Sequence, residues 1–378
     1  MKQKICIVGN GLTGLTSALI LGDLNIKIDL IHSNNNRQTR DNRTTALSAS
    51  NYNFLLKFLG KKYSTLFWPS RKVDLFYQSG NMYKHFINFE KKDENLMFIY
   101  ENKKIREVIL RKIKKNKNIR IVKGKVKSLD SKNSAVSVGN KKIYYDSILL
   151  CVGKNSKLPN IFIGERYLYD DNNEVALTAV VKHNHKINNV RQYFLNEGPL
   201  AILPINKSKF SLIWTVKKSL NLTNPKVFVE KKLNNIFKLK RKLFISKLNF
   251  FPISFKFNTN ISKKNILVLG ESSYNIHPIA GQGYNLILRD IETLHKEMKK
   301  NLENGIQIKD SKIFINFVNL RKPENLLFGI GISAINRFFM YNQYTQPFKD
   351  LILKDINKFK FLKDVGLNLS NNGIYTKI

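Results

Sequence analysis

Residues 5–14 have the sequence ICIVGNGLTG, a short apolar run followed by a glycine-rich segment. The run Ile5–Val8 has the continuous hydrophobicity of a strand buried on both faces of a parallel sheet. An apolar segment, Leu15–Leu24, predicts a helix after the glycines, and Ile26–Ile31 predicts a second strand. A strand, a helix and a strand within about 30 residues form a β-α-β unit, whose right-handed crossover makes the strands parallel. The chain therefore begins as an α/β fold.

Three glycines, Gly9, Gly11 and Gly14, match the G-x-G-x-x-G pattern of dinucleotide-binding proteins. In that pattern the first glycine permits a tight turn, the second lets a pyrophosphate approach the backbone, and the third permits close packing of helix on strand. Free N–H groups at the helix N-terminus then face the anion. A carboxylate that binds the ribose is expected about 20 residues on, but the second strand ends at His32. Asp29 lies on the opposite face of that strand and is not expected to replace it.

The remaining chain divides into a β-rich middle and a second α/β segment. Strands are predicted between residues 72 and 89 and between residues 175 and 257, with polar turns between them. A buried strand returns at Asn265–Leu269, a helix follows from Gly283 to Lys300, and the rest is predicted to be helical. We predict an α/β protein in which a Rossmann-like nucleotide-binding domain (1–71, 98–165 and 262–378, with C-terminal helices) carries an inserted antiparallel β-sheet substrate domain (72–97 and 166–261).

Further segments carry motifs of one family. Residues 41–48, DNRTTALS, match D-x-R-x-x-A-L-S, and Tyr100–Leu110 holds Arg106 in the spacing Y-x5-R-x3-L. Residues 198–204, GPLAILP, match G-P-x-A-x-L-P, residues 270–285 are similar to G-D-A-A-H-x-x-x-P-x-A-G-Q-G-x-N, and residues 363–367 to R-x-x-G-L. In order and spacing these motifs resemble the FAD-dependent hydroxylases of ubiquinone biosynthesis, which have the para-hydroxybenzoate hydroxylase fold. The resemblance spans nearly the whole chain.

The resemblance implies that FAD is bound non-covalently. The pyrophosphate would lie on the first glycine-rich loop, two arginines would flank the cofactor, and residues 278–285 would approach the isoalloxazine ring. A helix that begins near residue 282 can stabilise negative charge on the reduced ring through its N–H groups and its dipole. With His32 at the ribose position, the residues assigned to FAD are Gly9, Gly11, Gly14, His32, Arg43, Arg106, Val126, Gly270, Glu271, Pro278, Gly281, Gln282, Gly283 and Asn285.

Several positions depart from the family pattern. Glu271 replaces the aspartate of the G-D pair, and Tyr274 replaces the histidine that follows. In the central motif, Val152-Gly153 occupies the place of Asp-Gly, and Pro159 replaces the closing arginine. In the wider fold class this motif contributes to binding of both FAD and the nicotinamide nucleotide. The changes therefore bear most directly on reduction by NAD(P)H.

The resemblance implies a monooxygenase that hydroxylates a polyprenylated phenol, with NAD(P)H as co-substrate and O2 activated as a flavin C4a-hydroperoxide. The cofactor supplies the difficult chemistry, so no side chain is assigned as a catalytic acid or base. His183, His185 and His277 are candidates by residue type alone, and a surface or packing role is more common for each. The alternative is an FAD-binding accessory member of a quinone-synthesis complex, with weak or no hydroxylase activity. Reduction of bound flavin distinguishes the two.

The charge of the chain raises a further class of function. Its 378 residues include 65 Lys and Arg but only 27 Asp and Glu, a formal net charge of +38, which invites a nucleic-acid or anionic-membrane partner. The basic residues are mostly lysines scattered through nearly every segment, and Asn, Ile and Phe are also abundant, as AT-rich coding produces. No nucleic-acid-binding module is recognisable, so no nucleic-acid partner is expected.

A membrane partner is an open alternative. The apolar helix Leu326–Met340 could dock on an anionic membrane surface, and its packing against the nucleotide-binding domain explains the same pattern. The apolar side chains in question are Phe328, Ile332, Ile335, Phe338 and Phe339. No signal peptide precedes Ile5, and no apolar stretch reaches the roughly 18–20 residues of a spanning helix. We expect a cytoplasmic protein, at most peripheral on the inner face of the cytoplasmic membrane.

The cysteines exclude two other kinds of site. Cys6 and Cys151 lie in apolar runs predicted as buried strands, where they are small core residues. Two cysteines cannot form the paired spacing of a zinc site, and they allow one disulfide at most. No metal site is predicted.

Overall fold

The computed structural model describes residues 3–33, 43–164, 166–185, 187–220, 222–238, 243–309, 312–340, 346–356 and 359–373. Asp41 and Asn42, which begin the D-x-R motif, lie outside these ranges. The strands are β1 (Lys4–Val8), β2 (Lys27–His32), β3 (Thr44–Ser48), β4 (Trp68–Ser70), β5 (Lys72–Ser79), β6 (Met82–Glu90), β7 (Met97–Glu101), β8 (Ile119–Lys123), β9 (Val126–Asp130), β10 (Ala135–Val138), β11 (Lys141–Tyr144), β12 (Ser147–Leu150), β13 (Tyr167–Lys182), β14 (Val190–Leu195), β15 (Gly198–Asn206), β16 (Lys209–Lys217), β17 (Phe244–Ile245), β18 (Asn249–Asn258), β19 (Ser262–Lys263), β20 (Ile266–Val268) and β21 (Tyr274–Asn275). The helices are α1 (Leu12–Leu21), α2 (Ala49–Leu59), α3 (Asn102–Lys115), α4 (Leu158–Ile163), α5 (Pro225–Phe237), α6 (Gln282–Glu303), α7 (Lys312–Met340), α8 (Gln346–Asp355) and α9 (Lys360–Asn372).

The first large sheet contains the N-terminal strand at its centre. Its order is β19-β20-β12-β1-β2-β8, and all neighbours from β20 to β8 are parallel. Ile5 and Ile7 are completely buried, as a strand covered on both faces requires. The predicted β-α-β unit is confirmed, but α1 begins at Leu12 rather than Leu15. The glycine turn leads directly into the helix, so Gly14 lies within its first turn.

The second large sheet follows the order β21-β18-β13-β16-β15-β14-β5-β6, with β17 beside β13. Its neighbours are antiparallel except β14 and β5, which are parallel. The predicted antiparallel sheet is confirmed except at this pair. The β5–β6 hairpin ends at Glu90 and β14 begins at Val190, and so long a connection permits a parallel neighbour. All of its strands except β21 fall within the predicted substrate domain, whose boundaries stay a prediction.

Two small sheets accompany the large ones, in the orders β3-β7-β4 and β11-β10-β9. Ala46 of β3 and Ile99 of β7 form a buried cluster with Val190 and Leu203 from the second large sheet. Apolar side chains therefore join the D-x-R segment of the first domain to the sheet of the second.

The C-terminal part is helical, as predicted, and α7 is its longest helix. Ile332 is 6% exposed, and the ring of Phe339 stacks on Phe194 with centroids 3.8 Å apart. Both residues are packed, but Phe339 packs on β14 of the second large sheet, whereas the packing alternative expected the nucleotide-binding domain. Ile335 is exposed, as are Leu327 and Ile330 on the same helix. Within the described ranges, no helix is long and apolar enough to span a membrane.

Candidate functional site

The loop between β1 and α1 has the geometry of an anion cradle. Gly9 has φ of 114°, and a Cβ there would lie 2.2 Å from the carbonyl oxygen of Cys151. A Cβ on Gly14 would lie 1.9 Å from the carbonyl oxygen of Gly9. By contrast, a Cβ on Gly11 would meet nothing within 4 Å, and no side chain caps the N-terminus of α1. The tight turn, the open space and the exposed N–H groups fit the pyrophosphate of FAD.

A second glycine turn packs against the same helix end. Gly270 follows β20, has φ of 80°, and begins a short 3-10 turn that ends at Ser272. A Cβ on Gly270 would lie 2.8 Å from the side chain of Thr13 in α1. Glu271 is exposed beside this contact. The structure therefore brings Gly270-Glu271 to the glycine-rich loop, although Gly14 and Gly270 are 256 positions apart along the chain.

A third turn leads into α6. Pro278 accepts a hydrogen bond from the N–H of Gly281, at 3.1 Å, across the 3-10 turn Ile279–Gly281. Gly281 has φ of 63°, a left-handed conformation that favours glycine. It is the N-cap of α6, and no side-chain hydrogen bond caps this end of the helix. Gln282 is buried as the first residue of the helix.

Asn285 fastens this turn to the D-x-R segment. It is completely buried, and its Nδ2 donates to the carbonyl oxygen of Ala46 at 2.9 Å. Its Oδ1 accepts from the backbone N–H of Ser48 and from Nδ2 of Asn51, both at 2.9 Å. Since the protein itself engages this amide so fully, the geometry favours a positioning role for Asn285 over direct contact with the ring. Gly283 lies two residues before Asn285. A Cβ on Gly283 would lie 3.8 Å from the side chain of Ile276.

The remaining predicted residues surround the cradle. Arg106 of α3 donates from Nη2 to the carbonyl oxygen of Asn10 at 3.3 Å, inside the glycine-rich loop. The guanidinium of Arg43 lies 5.4 Å from the ring centroid of Phe251. His32 ends β2 beside this loop, since the N–H of Gly9 donates to the neighbouring Ile31 at 2.8 Å.

Val126 lies beside the first large sheet and Asp29 lies within it; the adenine contact of Val126 stays a prediction. Val126 begins β9 and packs against the cluster that contains Val8. Asp29 is buried and binds Arg120 in a bidentate manner, at 2.8 and 2.7 Å. Burial alone would raise the pKa of Asp29, but hydrogen bonds from Arg120, Lys4 and Tyr145 outweigh it and lower that pKa. Asp29 is thus engaged by three side chains of the protein, and its absence from the ribose site stays a prediction.

Two substitutions in the family motifs have a structural explanation. Tyr274 is buried, and its hydroxyl donates to Oδ2 of Asp290 in α6 at 2.5 Å. Burial and then the charge of Asp290 raise the pKa of Tyr274, which stays a neutral donor. The residue thus holds α6 in place. Pro159 lies in the first turn of α4, where a proline is well tolerated.

Lys154 is a site residue that the sequence did not reveal. It follows Val152-Gly153, and its Nζ donates to the carbonyl oxygen of Pro252 in β18 at 2.9 Å. Burial lowers the pKa of Lys154, the charge of Glu271 opposes that shift, and Arg43 adds to it. Lys154 thus lies two residues after Val152, the position at which the family pattern has its aspartate. The residues next to Lys154 in the sequence carry no recognisable motif. Lys154 is identified only because three distant chain segments come together around it.

The candidate histidines have different surroundings. His183 is buried beside the ring of Phe210, and its Nδ1 accepts from the N–H of His185 at 3.2 Å. Burial lowers the pKa of His183, as for a packing residue. His277 is buried and bonded to Glu174, directly before Pro278. Among the described residues, no group of three or more His, Cys, Asp or Glu side chains could hold a metal ion.

Solved structures share this architecture over the whole chain. A p-nitrophenol 4-monooxygenase, PnpA, from Pseudomonas putida DLL-E4 superposes with a TM-score of 0.80, at 14% identity and 99% coverage of both chains. PqsL, a probable FAD-dependent monooxygenase from Pseudomonas aeruginosa, gives 0.73 at 14% identity, covering 97% of this chain and 99% of its own. The chain has the fold of the FAD-dependent monooxygenases.

Curated relatives point to one branch of that fold. Ubiquinone biosynthesis monooxygenase COQ6 of Dictyostelium discoideum is 24% identical over 97% of this chain and 90% of its own length. The 3-demethoxyubiquinol 3-hydroxylase of Escherichia coli strain K12 is 23% identical over 44% of each chain. No protein-family model matches. The resemblance to the ubiquinone-biosynthesis hydroxylases is confirmed.

Proposed function

We propose that the chain is an FAD-dependent monooxygenase that hydroxylates a polyprenylated phenol in ubiquinone biosynthesis. The observation that carries this proposal is the meeting of three glycine turns at the uncapped ends of α1 and α6, within a chain similar to such hydroxylases along its length. The accessory alternative is not favoured, because the relatives are named as monooxygenases and hydroxylases.

Several residues of the site have defined tasks toward FAD. When bound, FAD supplies the redox chemistry that activates O2. The loop at Gly9–Gly14 would hold the pyrophosphate, and Arg106 would orient that loop through the carbonyl of Asn10. The N-terminus of α6 would face the ring, where its N–H groups and dipole stabilise negative charge. Asn285 would keep that helix end fixed against β3.

NAD(P)H as the reductant is a further part of the proposal. The central motif lacks its aspartate and arginine, but Lys154 supplies a positive charge beside Glu271 and Arg43. A cation there supports binding of an anionic nucleotide near the cofactor. Partners in a quinone-synthesis complex are also proposed, on the family resemblance alone.

Membrane association completes the proposal, because a polyprenyl tail partitions into lipid. Leu320, Leu327 and Ile330 of α7 are 48%, 55% and 50% exposed, at spacings of seven and three residues that place them on one helix face. With the net charge of +38, such a face suits the anionic inner surface of a cytoplasmic membrane.

The test of function is a flavin experiment on the purified protein. We expect a yellow protein with bound FAD, loss of the oxidised flavin spectrum on anaerobic addition of NADPH or NADH, and a product that gains one oxygen atom from O2 with a prenylated phenol. FAD binding without reduction by either nucleotide, even with the phenol present, would support the accessory alternative instead.

A further inference from the structure

A buried polar cluster connects the turn before α6 to two distant elements. Glu174 of β13, His277 and Asn336 of α7 are 2%, 1% and 4% exposed. Nε2 of His277 lies 3.1 Å from Oε2 of Glu174. Nδ2 of Asn336 donates to both carboxylate oxygens of Glu174, at 3.2 and 3.3 Å. One carboxylate thus joins the substrate sheet, the C-terminal helix and the residue before Pro278.

The hydrogen bonds define the tautomer of His277. Its Nδ1 accepts from the backbone N–H of Ile279 at 3.3 Å, so this nitrogen carries no proton. The proton of the neutral ring is therefore on Nε2, where it is donated to Glu174. Glu174 selects the tautomer, and that tautomer is the one that can hold the Ile279 amide.

This polar cluster costs more free energy to bury than apolar side chains would. A buried carboxylate loses its hydration, and apolar residues of similar volume commonly give equal or greater stability. Among the described residues, the only basic side chain recorded within 4 Å of the Glu174 carboxylate is His277, and its ring is neutral. What this arrangement supplies in return is a directed hydrogen bond to the turn at Ile279–Gly281, which sets the direction of α6.

We propose that Glu174 and His277 form a positioning pair that holds the Pro278–Gly281 turn and thereby aims the N-terminus of α6 at the isoalloxazine ring. The inference rests on the proposed function, since it requires bound FAD. It assigns no proton transfer to either residue. The pair acts through the Ile279 amide, and its effect is on the electrostatics of the ring.

Two substitutions of His277 separate its hydrogen bond with Ile279 from its hydrogen bond with Glu174. His277→Asn places a carboxamide oxygen near the position of Nδ1, where it can accept from Ile279, but it cannot reach Glu174. His277→Gln reaches toward Glu174 but cannot hold the Ile279 amide. We expect His277→Gln to weaken FAD binding and lower kcat by about 5- to 100-fold, the cost of leaving a buried donor unpaired. His277→Asn should stay within about threefold of the parent, because its donor is satisfied.

The decisive readout is the midpoint potential of the bound flavin. A helix end turned away from the ring stabilises the reduced, negatively charged form less, so His277→Gln and Glu174→Gln should lower the potential while His277→Asn restores it. Trp214→Phe is the matched control. It removes a buried hydrogen bond to Gly198 in the same sheet, and it should lower the unfolding temperature without changing the potential.

The outcomes separate this inference from the proposed function. If the unchanged protein does not bind FAD, the proposed function fails. If it binds and turns over, but the His277 and Glu174 variants keep its flavin potential and FAD affinity, the positioning pair is refuted. Equal losses in His277→Asn and His277→Gln, in proportion to their loss of stability, would also refute it, because a purely structural role predicts no rescue.

Discussion

Gly11 and Gly14 lie three residues apart and are glycines for different reasons. A Cβ on Gly14 would collide with the backbone of Gly9, whereas a Cβ on Gly11 would enter open space, where we propose that the pyrophosphate lies. Gly14→Ala should therefore destabilise the protein without FAD, by about 1–3 kcal/mol as overpacking does. Gly11→Ala should leave the stability of the FAD-free protein within about 0.5 kcal/mol and weaken FAD binding.

Urea denaturation of FAD-free protein and fluorescence titration with FAD measure these two effects separately. If Gly11→Ala loses stability but binds FAD as tightly as the parent, the pyrophosphate does not lie on this loop.

Asp29 links stability to pH. Its folded pKa lies below the ordinary value of 3.8, so its contribution is present above that pH and disappears as the pH falls through the folded pKa. Asp29→Asn should cost about 1–3 kcal/mol at pH 7, since buried donors lose a charged acceptor. The difference between parent and variant should shrink below pH 3.8. Asp171, which is exposed and pairs with Lys218, is the control: Asp171→Asn should change stability far less. A difference for Asp29→Asn that is independent of pH would contradict this assignment.

At the residue scale, the sequence predicts a residue's role when that role depends only on its immediate neighbours along the chain. Gly9, Gly11 and Gly14 are identified because each has a steric requirement within one turn. Glu174 and His277 could not be paired, because 103 residues separate them and the H-P dipeptide says nothing about its partner. The same holds for Lys154, whose surroundings come from distant segments.

At the element scale, α6 and α7 are held together by buried charges. Nε of Arg321 donates to Asp290 at 2.7 Å, and its Nη1 also binds Glu324, with all three side chains less than one-tenth exposed. Arg321→Met would leave two buried carboxylates without this cation. We expect a loss of about 3–5 kcal/mol in the free energy of unfolding.

Arg337→Met is the matched control on the same helix. Arg337 pairs with Asp170 but its side chain is 62% exposed, so its loss should cost at most about 1 kcal/mol. Urea denaturation of both variants measures the difference. Equal costs would mean that burial does not determine the strength of these pairs.

The elements themselves are predicted well where the hydrophobic pattern is strong, as in β1 and α6. Errors occur where the structure of a segment depends on residues far away in the sequence, because a local hydrophobic pattern does not record them. The parallel pairing of β14 with β5 depends on a hairpin more than 100 residues earlier, which no periodicity in residues 190–195 reveals. For α7, apolar spacing did not distinguish Ile332, which is buried, from Ile335, which is exposed.

At the scale of the whole molecule, the α/β architecture and the FAD assignment follow from ordered motifs spread along the chain. The charge of +38 indicates neither. It bears instead on where the protein resides, because each Lys or Arg near an anionic membrane contributes about 1 kcal/mol, screened by salt. Exposed leucine and isoleucine side chains on α7 add an apolar contribution that salt does not screen.

These two contributions predict a specific pattern of vesicle binding. The protein should float with vesicles that contain phosphatidylserine at low salt, and bind neutral phosphatidylcholine vesicles far less. High salt should reduce binding without abolishing it. Leu327→Ser combined with Ile330→Ser should remove the salt-resistant part, because both side chains are about half exposed and contribute little to the core. Ile161→Ser, on the separate helix α4 where the side chain is exposed, is the matched control and should retain that part. Absence of binding to either vesicle at low salt would refute membrane association, and salt-resistant binding that survives the double substitution would place the contact elsewhere on the molecule.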